Sequence, residues 1–170
     1  MTAASRFLED AGVRYPVVCG AMYPCSNPEL VAAVSEAGGL GVIQPLSLAY
    51  VHSGSFQAGL DRIRELTDAP LGFNAIVEKS VKAYERRMRT WIEQALAADV
   101  RFFVTALGNP AWVCELVHAA GGKVYHDVTA LRWAEKARDA GVDGFICVNA
   151  RAGGHAGTAT PEALFEELAP

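Results

Sequence analysis

The chain has 170 residues, of which 51% are hydrophobic and 20% are charged, and this is enough to bury the core of one domain. A formal net charge of −4 excludes the basic surface that nucleic-acid binding requires. No run approaches the ~18 apolar residues of a membrane span, and the opening MTAASRFLEDAG lacks the apolar core of a signal peptide. We therefore expect a soluble, cytoplasmic protein without a membrane partner.

Six short apolar runs recur along the chain, and a helical pattern follows each of them. The runs are PVVCGAM (16–22), LGVIQP (40–45), PLGFNAI (70–76), RFFVTAL (101–107), KVYHDV (123–128) and GFICVN (144–149). They begin roughly 21 to 31 residues apart, which is the length of one strand–helix unit. Because the runs are almost continuously apolar, they are typical of parallel strands that are buried on both faces.

Start signals mark three of the helices. Asn27-Pro28-Glu29 supplies a cap, a first-turn proline and a first-turn acid, and Gly38-Gly39 ends that helix. Asn109-Pro110 and Thr160-Pro161-Glu162 repeat the start signal. The longest helix is predicted from apolar residues spaced by threes and fours: Val81, Tyr84, Met88, Trp91, Ile92, Ala95 and Leu96.

Six such units predict a parallel α/β fold, for which an open doubly wound sheet and a closed barrel compete. The first strand–helix turn reads GAMYPCSNP and lacks the G-x-G-x-x-G pattern of a dinucleotide-binding sheet. Glycine or polar residues instead follow many of the strands, as they do where a barrel builds its active site. Periodicity alone leaves both architectures open.

The most informative segment for chemistry is NARAGGHAG (149–157), directly after the sixth run. A glycine pair lets backbone amides approach a ligand closely. Histidine moves protons readily near neutral pH, so His155 is the first candidate for catalysis. The alternative is a flexible surface loop with an incidental histidine.

Polar residues inside the strands are weaker candidates. Asn74 in the third run, Thr105 in the fourth and His126 in the fifth could each belong to a core polar network or contact a ligand. His52 and His118 are expected at the surface. The four cysteines form no C-x-x-C pair and no zinc pattern, so neither a disulfide framework nor a metal site is expected.

Taken in chain order, several segments resemble one family. PVVCGAM…PELVAAVSEAGGLGVI, LGFNAIVE, RFFVTALGNP, KVYHDVTAL and DGFICVNARAGGHAGT are similar to nitronate monooxygenases, formerly called 2-nitropropane dioxygenases. The resemblance spans the whole chain. It implies a (β/α)8 TIM barrel that binds FMN at its carboxyl-terminal mouth, with residues 1–170 as a single domain forming about six N-terminal units of an incomplete barrel.

The resemblance also implies roles for individual residues. His155 would be the catalytic base that takes the α-proton of a nitroalkane or orients the nitronate, which O2 and the flavin convert to a carbonyl compound and nitrite. The residues implied to contact FMN are Gly20, Ala21, Met22, Asn74, His126, Gly153 and Gly154.

Two departures from the family's pattern stand out. Asp127 occupies a position where some relatives carry a lysine near the flavin. The chain also stops at Pro170, before the seventh and eighth units that usually build the phosphate site. We therefore expect residues 1–170 to be part of a longer protein. On their own, these residues are expected to bind FMN weakly and to associate through unpaired sheet edges, for example as a homo-oligomer.

Two other functions compete with nitronate oxidation. An FMN-dependent NAD(P)H reductase, of the enoyl-acyl-carrier-protein or quinone reductase type, would share the AGGHxG loop. A non-catalytic binding or interaction module is the third hypothesis, and only the absence of the seventh and eighth strand–helix units favours it.

Overall fold

The computed structural model describes residues 3–77 and 82–169. The strands in chain order are β1 (Val18–Cys19), β2 (Leu40–Ile43), β3 (Leu71–Ile76), β4 (Phe102–Ala106), β5 (Lys123–Val128) and β6 (Gly144–Cys147). The helices are α1 (Ala3–Ala11), α2 (Pro28–Glu36), the short α3 (Pro45–Ser47), α4 (Phe56–Leu66), α5 (Lys82–Ala97), α6 (Ala111–Ala119), α7 (Leu131–Asp139) and α8 (Pro161–Leu168). A turn of π-helix (Leu48–His52) follows α3.

The strands form one sheet in the order β1-β2-β3-β4-β5-β6, and all neighbouring pairs are parallel. A doubly wound sheet would reverse its order at a switch point, whereas a barrel adds each strand beside the one before it. The observed order is that of a barrel with six units. This confirms the predicted fold class, an incomplete TIM barrel, over the open alternative.

Side-chain caps begin two of the three helices for which the sequence predicted start signals. Asn27 Oδ1 accepts a hydrogen bond from the Leu30 amide at 2.8 Å, and Thr160 Oγ1 accepts one from the Ala163 amide at 3.2 Å. At α6 the N-cap is Pro110, which has no side-chain cap, and Asn109 Oδ1 accepts from the Ala111 amide in the turn before it. The predicted helical residue Val81 lies outside the described residues.

The first strand is much shorter than its apolar run. Only Val18–Cys19 pairs with β2, although the run covers residues 16–22. Val17 is 60% exposed and Val18 is 46% exposed, because β1 has a strand neighbour on one side only. Strong apolar character alone does not extend a strand without a second partner.

The two faces of the sheet bury different sets of side chains. The helix-facing side packs against α2, α4, α5 and α6 through Ile43, Leu71, Phe73, Ala75, Phe103 and Val124. The other side faces the barrel lumen and forms what we call the inner cluster: Ala11, Val13, Leu40, Val42, Phe102 and Val104, with Phe7, Leu8, Ala21, Tyr125 and Ile146 packed against it. This alternation decides which polar side chains can reach the lumen.

Helix α1 closes the amino end of the sheet. Phe7 packs edge-on against Phe102, with the ring centroids 5.6 Å apart, and the Tyr125 hydroxyl donates to Asp10 at 2.9 Å. Next to α1, a cleft of about 490 Å³ lies between the two edge strands of the sheet and is lined, among other residues, by Val18 and Phe145. In the part of the chain that the structure describes, no helix is long and apolar enough to cross a membrane.

Candidate functional site

Two polar side chains on the strands face the lumen near the carboxyl end of the sheet. Asn74 is in register with Val104, and Asp127 is in register with Ile146. Both partners contribute to the inner cluster, and neighbouring side chains in register on parallel strands point to the same face. The side-chain amide of Asn74 makes no hydrogen bond to any residue within 3–77 and 82–169. Its donors and acceptor are therefore available to a ligand.

His126 lies on the opposite, helix-facing side of β5. It is 5% exposed, and its Nδ1 lies 2.8 Å from Thr105 Oγ1. The Thr105 hydroxyl also donates to the Tyr125 carbonyl at 3.2 Å. Because a hydroxyl has one hydrogen, Nδ1–H of His126 donates to Thr105. Burial lowers the pKa of His126, so this histidine is neutral and held within a core polar pair. The structure does not bring it together with Asn74.

Asp127 is the acidic group on the lumen side of β5. It is half-buried, and its carboxylate accepts no hydrogen bond from the residues that the structure describes. Burial raises its pKa to about 6, and an electrostatic interaction with His155 acts in the opposite direction. The carboxylate of Asp127 and the imidazole of His155 therefore lie within electrostatic range of each other.

The loop that carries His155 is closed at its base. The Ala150 amide donates to the Ala159 carbonyl at 2.8 Å, and the Gly157 amide donates to the Asn149 carbonyl at 3.3 Å. Gly157 packs directly against the Val148 backbone, where a Cβ would not fit. These contacts fix both ends of the loop against the carboxyl end of the sheet.

The tip of this loop is open. Gly154 has a φ of +103°, a conformation that L side chains rarely adopt, and nothing lies within 4 Å of a Cβ built on Gly153 or Gly154. The backbone amides of residues 153–156 donate no hydrogen bond to other described residues. The imidazole of His155 is exposed and likewise has no hydrogen bond there. The tip thus offers unpaired donors together with a titratable side chain.

The segment after β1 reaches the same end of the sheet. Ala21 packs against the inner cluster, Gly20 is exposed and the Met22 side chain is 43% exposed. The Met22 amide donates to the Ser26 hydroxyl at 2.9 Å, and the Ser26 amide returns a bond to the Met22 carbonyl at 2.8 Å. This tight turn holds an apolar side chain at the mouth of the half-barrel.

His52 contributes a contact that the sequence did not indicate. It is exposed, as expected, but its Nε2 lies 2.6 Å from the Pro24 carbonyl. A carbonyl can only accept, so Nε2–H donates and ties the turn after β1 to the π-helix after β2. No local pattern around YVHSGS predicts a bond across 28 residues. Within the described residues no group of three His, Cys, Asp or Glu side chains could hold a metal ion.

Comparisons with known proteins agree with this arrangement. A family model described as nitronate monooxygenase matches residues 5–169. A dehydrogenase from Rhodococcus jostii, named for a hydroxy-methyl-oxo-octahydroindene carboxyl-CoA, is 28% identical to this chain. The match covers 92% of this chain and 42% of that protein. A probable nitronate monooxygenase from Staphylococcus saprophyticus is also 28% identical, over 92% of this chain and 52% of its own.

Solved structures share the fold. FabK from Thermotoga maritima superposes with a TM-score of 0.80 at 26% identity, over 96% of this chain and 50% of that chain. A nitroalkane oxidase from Streptomyces ansochromogenes gives a TM-score of 0.70 at 22% identity, over 94% and 53% of the two chains. The chain thus spans about half the length of these proteins. Since the family model covers nearly all of it, the chain belongs to the nitronate monooxygenase family.

Proposed function

We propose that this chain forms the N-terminal part of an FMN-dependent oxidoreductase that oxidises alkyl nitronates or nitroalkanes with O2 to carbonyl compounds and nitrite. One observation supports this most strongly. The loop tip 153–156 carries backbone amides and an imidazole that make no hydrogen bond to the described residues. It lies at the same end of the sheet as the side-chain amide of Asn74, which also makes none.

The residues present fit a flavin. A flat ring with polar edges needs hydrogen-bond donors and acceptors on its rim and apolar contact on its face. Asn74 supplies both an acceptor and donors, the backbone at Gly153 and Gly154 supplies donors, and the exposed thioether of Met22 supplies apolar contact. His126 has no part in this proposal, because it faces the helix layer.

The chain's own residues would manage the proton. FMN, when bound, supplies the electron-accepting chemistry. His155 would remove the α-proton of a neutral nitroalkane, so that the C–H electron pair passes into the nitro group and a nitronate forms. The exposure of His155 and its freedom from other hydrogen bonds leave a ring nitrogen available for this transfer.

The experiment is to compare His155→Asn with the unchanged protein on a neutral nitroalkane and on its preformed nitronate. We expect flavin content to stay the same and the neutral substrate to slow by about 100-fold or more, since general base catalysis typically contributes that much. The nitronate, which needs no deprotonation, should slow much less. Equal slowing of both substrates would remove the proton-abstraction role.

Asp127 favours a second candidate. A carboxylate at the mouth beside His155 disfavours an anionic substrate such as a nitronate and tolerates a neutral one. This fits an FMN-dependent NAD(P)H reductase or dehydrogenase acting on a neutral carbonyl compound or thioester, and the Rhodococcus jostii relative is named for a CoA-linked substrate.

Anaerobic mixing separates the two candidates. Rapid loss of flavin absorbance with NADH or NADPH supports the reductase, whereas loss only with a nitronate supports the monooxygenase. A purified full-length protein without any flavin absorbance would contradict both and favour a non-catalytic interaction module.

A further inference from the structure

We propose that Asp127 is the positioning partner of His155, a residue pair at the mouth of the half-barrel in which the carboxylate stabilises the imidazole while it carries the substrate proton. This inference rests on the proposed function, because it assumes that His155 is the base. It assigns a role to the acidic residue that departs from the family's pattern.

The backbone geometry places the two residues at the same end of the sheet. Asp127 is next to the last residue of β5, and its register partner is Ile146 on β6. The chain then continues from β6 into the loop of His155, after the Val148 amide donates to the Val128 carbonyl at 2.8 Å. A Cβ added to Gly157, two residues beyond His155, would meet the side chain of Thr129, two residues beyond Asp127, at 3.4 Å. The loop therefore folds back over the end of the strand that carries Asp127.

Neither side chain has another partner. Within residues 3–77 and 82–169, Asp127 and His155 form no hydrogen bond or ion pair, either with other groups or directly with each other. The other charged residue of this loop, Arg151, lies 3.8 Å from Glu162 instead. Ile146, the β6 residue in register with Asp127, is apolar and packs against the inner cluster. His155 is thus the described group whose charge acts on this carboxylate.

In this pair the carboxylate would act electrostatically on the imidazole. When His155 takes the α-proton, the C–H bond breaks, the N–H bond forms and the ring becomes positive. A carboxylate on the lumen side would offset that charge and orient the ring, without itself accepting the proton. The same carboxylate would repel a preformed nitronate. One side chain would therefore help deprotonation and hinder binding of the anion.

The test measures kcat and KM across pH for the flavin-loaded protein and three variants: Asp127→Asn, Asp127→Glu and Glu162→Gln. The Glu162 variant removes the same charge near the same loop, but from a carboxylate directed to Arg151, so it is the matched control. For Asp127→Asn we expect kcat on a neutral nitroalkane to fall about 10-fold or more. The KM for the preformed nitronate should fall several-fold, since the repulsion is gone.

The pH profile and the conservative variant complete the test. The limb of the kcat profile that follows protonation of the base should move to lower pH in Asp127→Asn, because the neighbouring negative charge is lost, and should keep its position in Asp127→Glu and in the control. If Asp127→Asn behaves like Glu162→Gln on both substrates while His155→Asn still slows only the neutral one, the pairing is overturned and the proposed function stands. If His155→Asn slows both substrates equally, the proposed function fails and the pairing fails with it.

Discussion

The two ends of the half-barrel treat their acidic residues in opposite ways. At the amino end, Asp143 accepts hydrogen bonds from the Val124 amide at 2.9 Å, from His118 at 2.8 Å and from Lys123 at 2.9 Å. Burial opposes ionisation there, but these bonds together hold the pKa of Asp143 below its ordinary value. At the carboxyl end, burial acts on Asp127 without such donors and raises its pKa to about 6.

This difference separates stability from chemistry. A carboxylate whose acceptor sites are filled ties two strands and a helix together, and it has no capacity left for a substrate. A carboxylate that is half-buried and accepts no hydrogen bond costs stability when it ionises, and its charge remains available to act on groups at the mouth. In barrels the carboxyl end carries catalysis and the amino end carries stability, and we propose that the charges of this chain follow that division.

The largest effect should come from the amino end. Asp143→Ala leaves the Val124 amide and the Lys123 ammonium without their acceptor, and it should lower the free energy of unfolding by about 2–4 kcal/mol at pH 7. Because the folded-state pKa is depressed, this contribution is present above pH 3.8 and is lost as the pH falls below it. Urea titrations at pH 7 and at pH 3 would measure it. A loss under 1 kcal/mol at pH 7 would erase the contrast between the two ends.

The opposite sign is expected at the carboxyl end. Asp127→Asn should raise the free energy of unfolding by about 1–3 kcal/mol at pH 8, since a shift of one pKa unit corresponds to about 1.4 kcal/mol. The folded-state pKa is raised, so the gain should appear as the pH increases from 3.8 to about 6 and stay constant above that. The same titrations at pH 4 and pH 8 check it. A destabilised variant at pH 8 would show that the carboxylate has a structural partner after all.

The smallest effect concerns the Tyr125 hydroxyl, which links β5 to helix α1. Tyr125→Phe removes the bond to Asp10 and should cost about 1 kcal/mol. Burial, and then the Asp10 bond, raise the pKa of Tyr125 to about 12, so the phenol stays protonated and this cost should not change between pH 5 and pH 9. Thermal unfolding at both pH values measures it. A cost that varies with pH across this range would mean that another group responds to the loss.

Local signals allowed the sequence to predict most of the architecture. The cap at Asn27 and the proline–acid pair after Thr160 act within one helical turn, so they can be recognised without tertiary information. The strand order followed from the regular spacing of the runs together with the family resemblance. The shortness of β1 could not be predicted, because it depends on how many neighbours the strand has.

The site was harder to predict for a related reason. In KVYHDV apolar residues occupy both alternating sets, Val124 and Val128 in one and Tyr125 in the other. The sequence therefore does not say which of His126 and Asp127 faces the lumen. That depends on register with β4 and β6. The Thr105–His126 and His52–Pro24 bonds join residues 21 and 28 positions apart, and no local pattern indicates them. The roles of Asn74, Met22, Gly153, Gly154 and His155 toward a cofactor stay predictions.

The unbroken strand order has a consequence for how the molecule is made. Every strand pairs with its immediate predecessor in the chain, so sheet contacts join segments that leave the ribosome one after another. Such a topology can grow by successive docking of units during synthesis, without waiting for a distant partner. At each stage the newest strand is an edge strand with exposed apolar side chains, as β6 is in this sheet with Phe145. Nascent chains of this protein should therefore depend on chaperones until the next unit covers that edge.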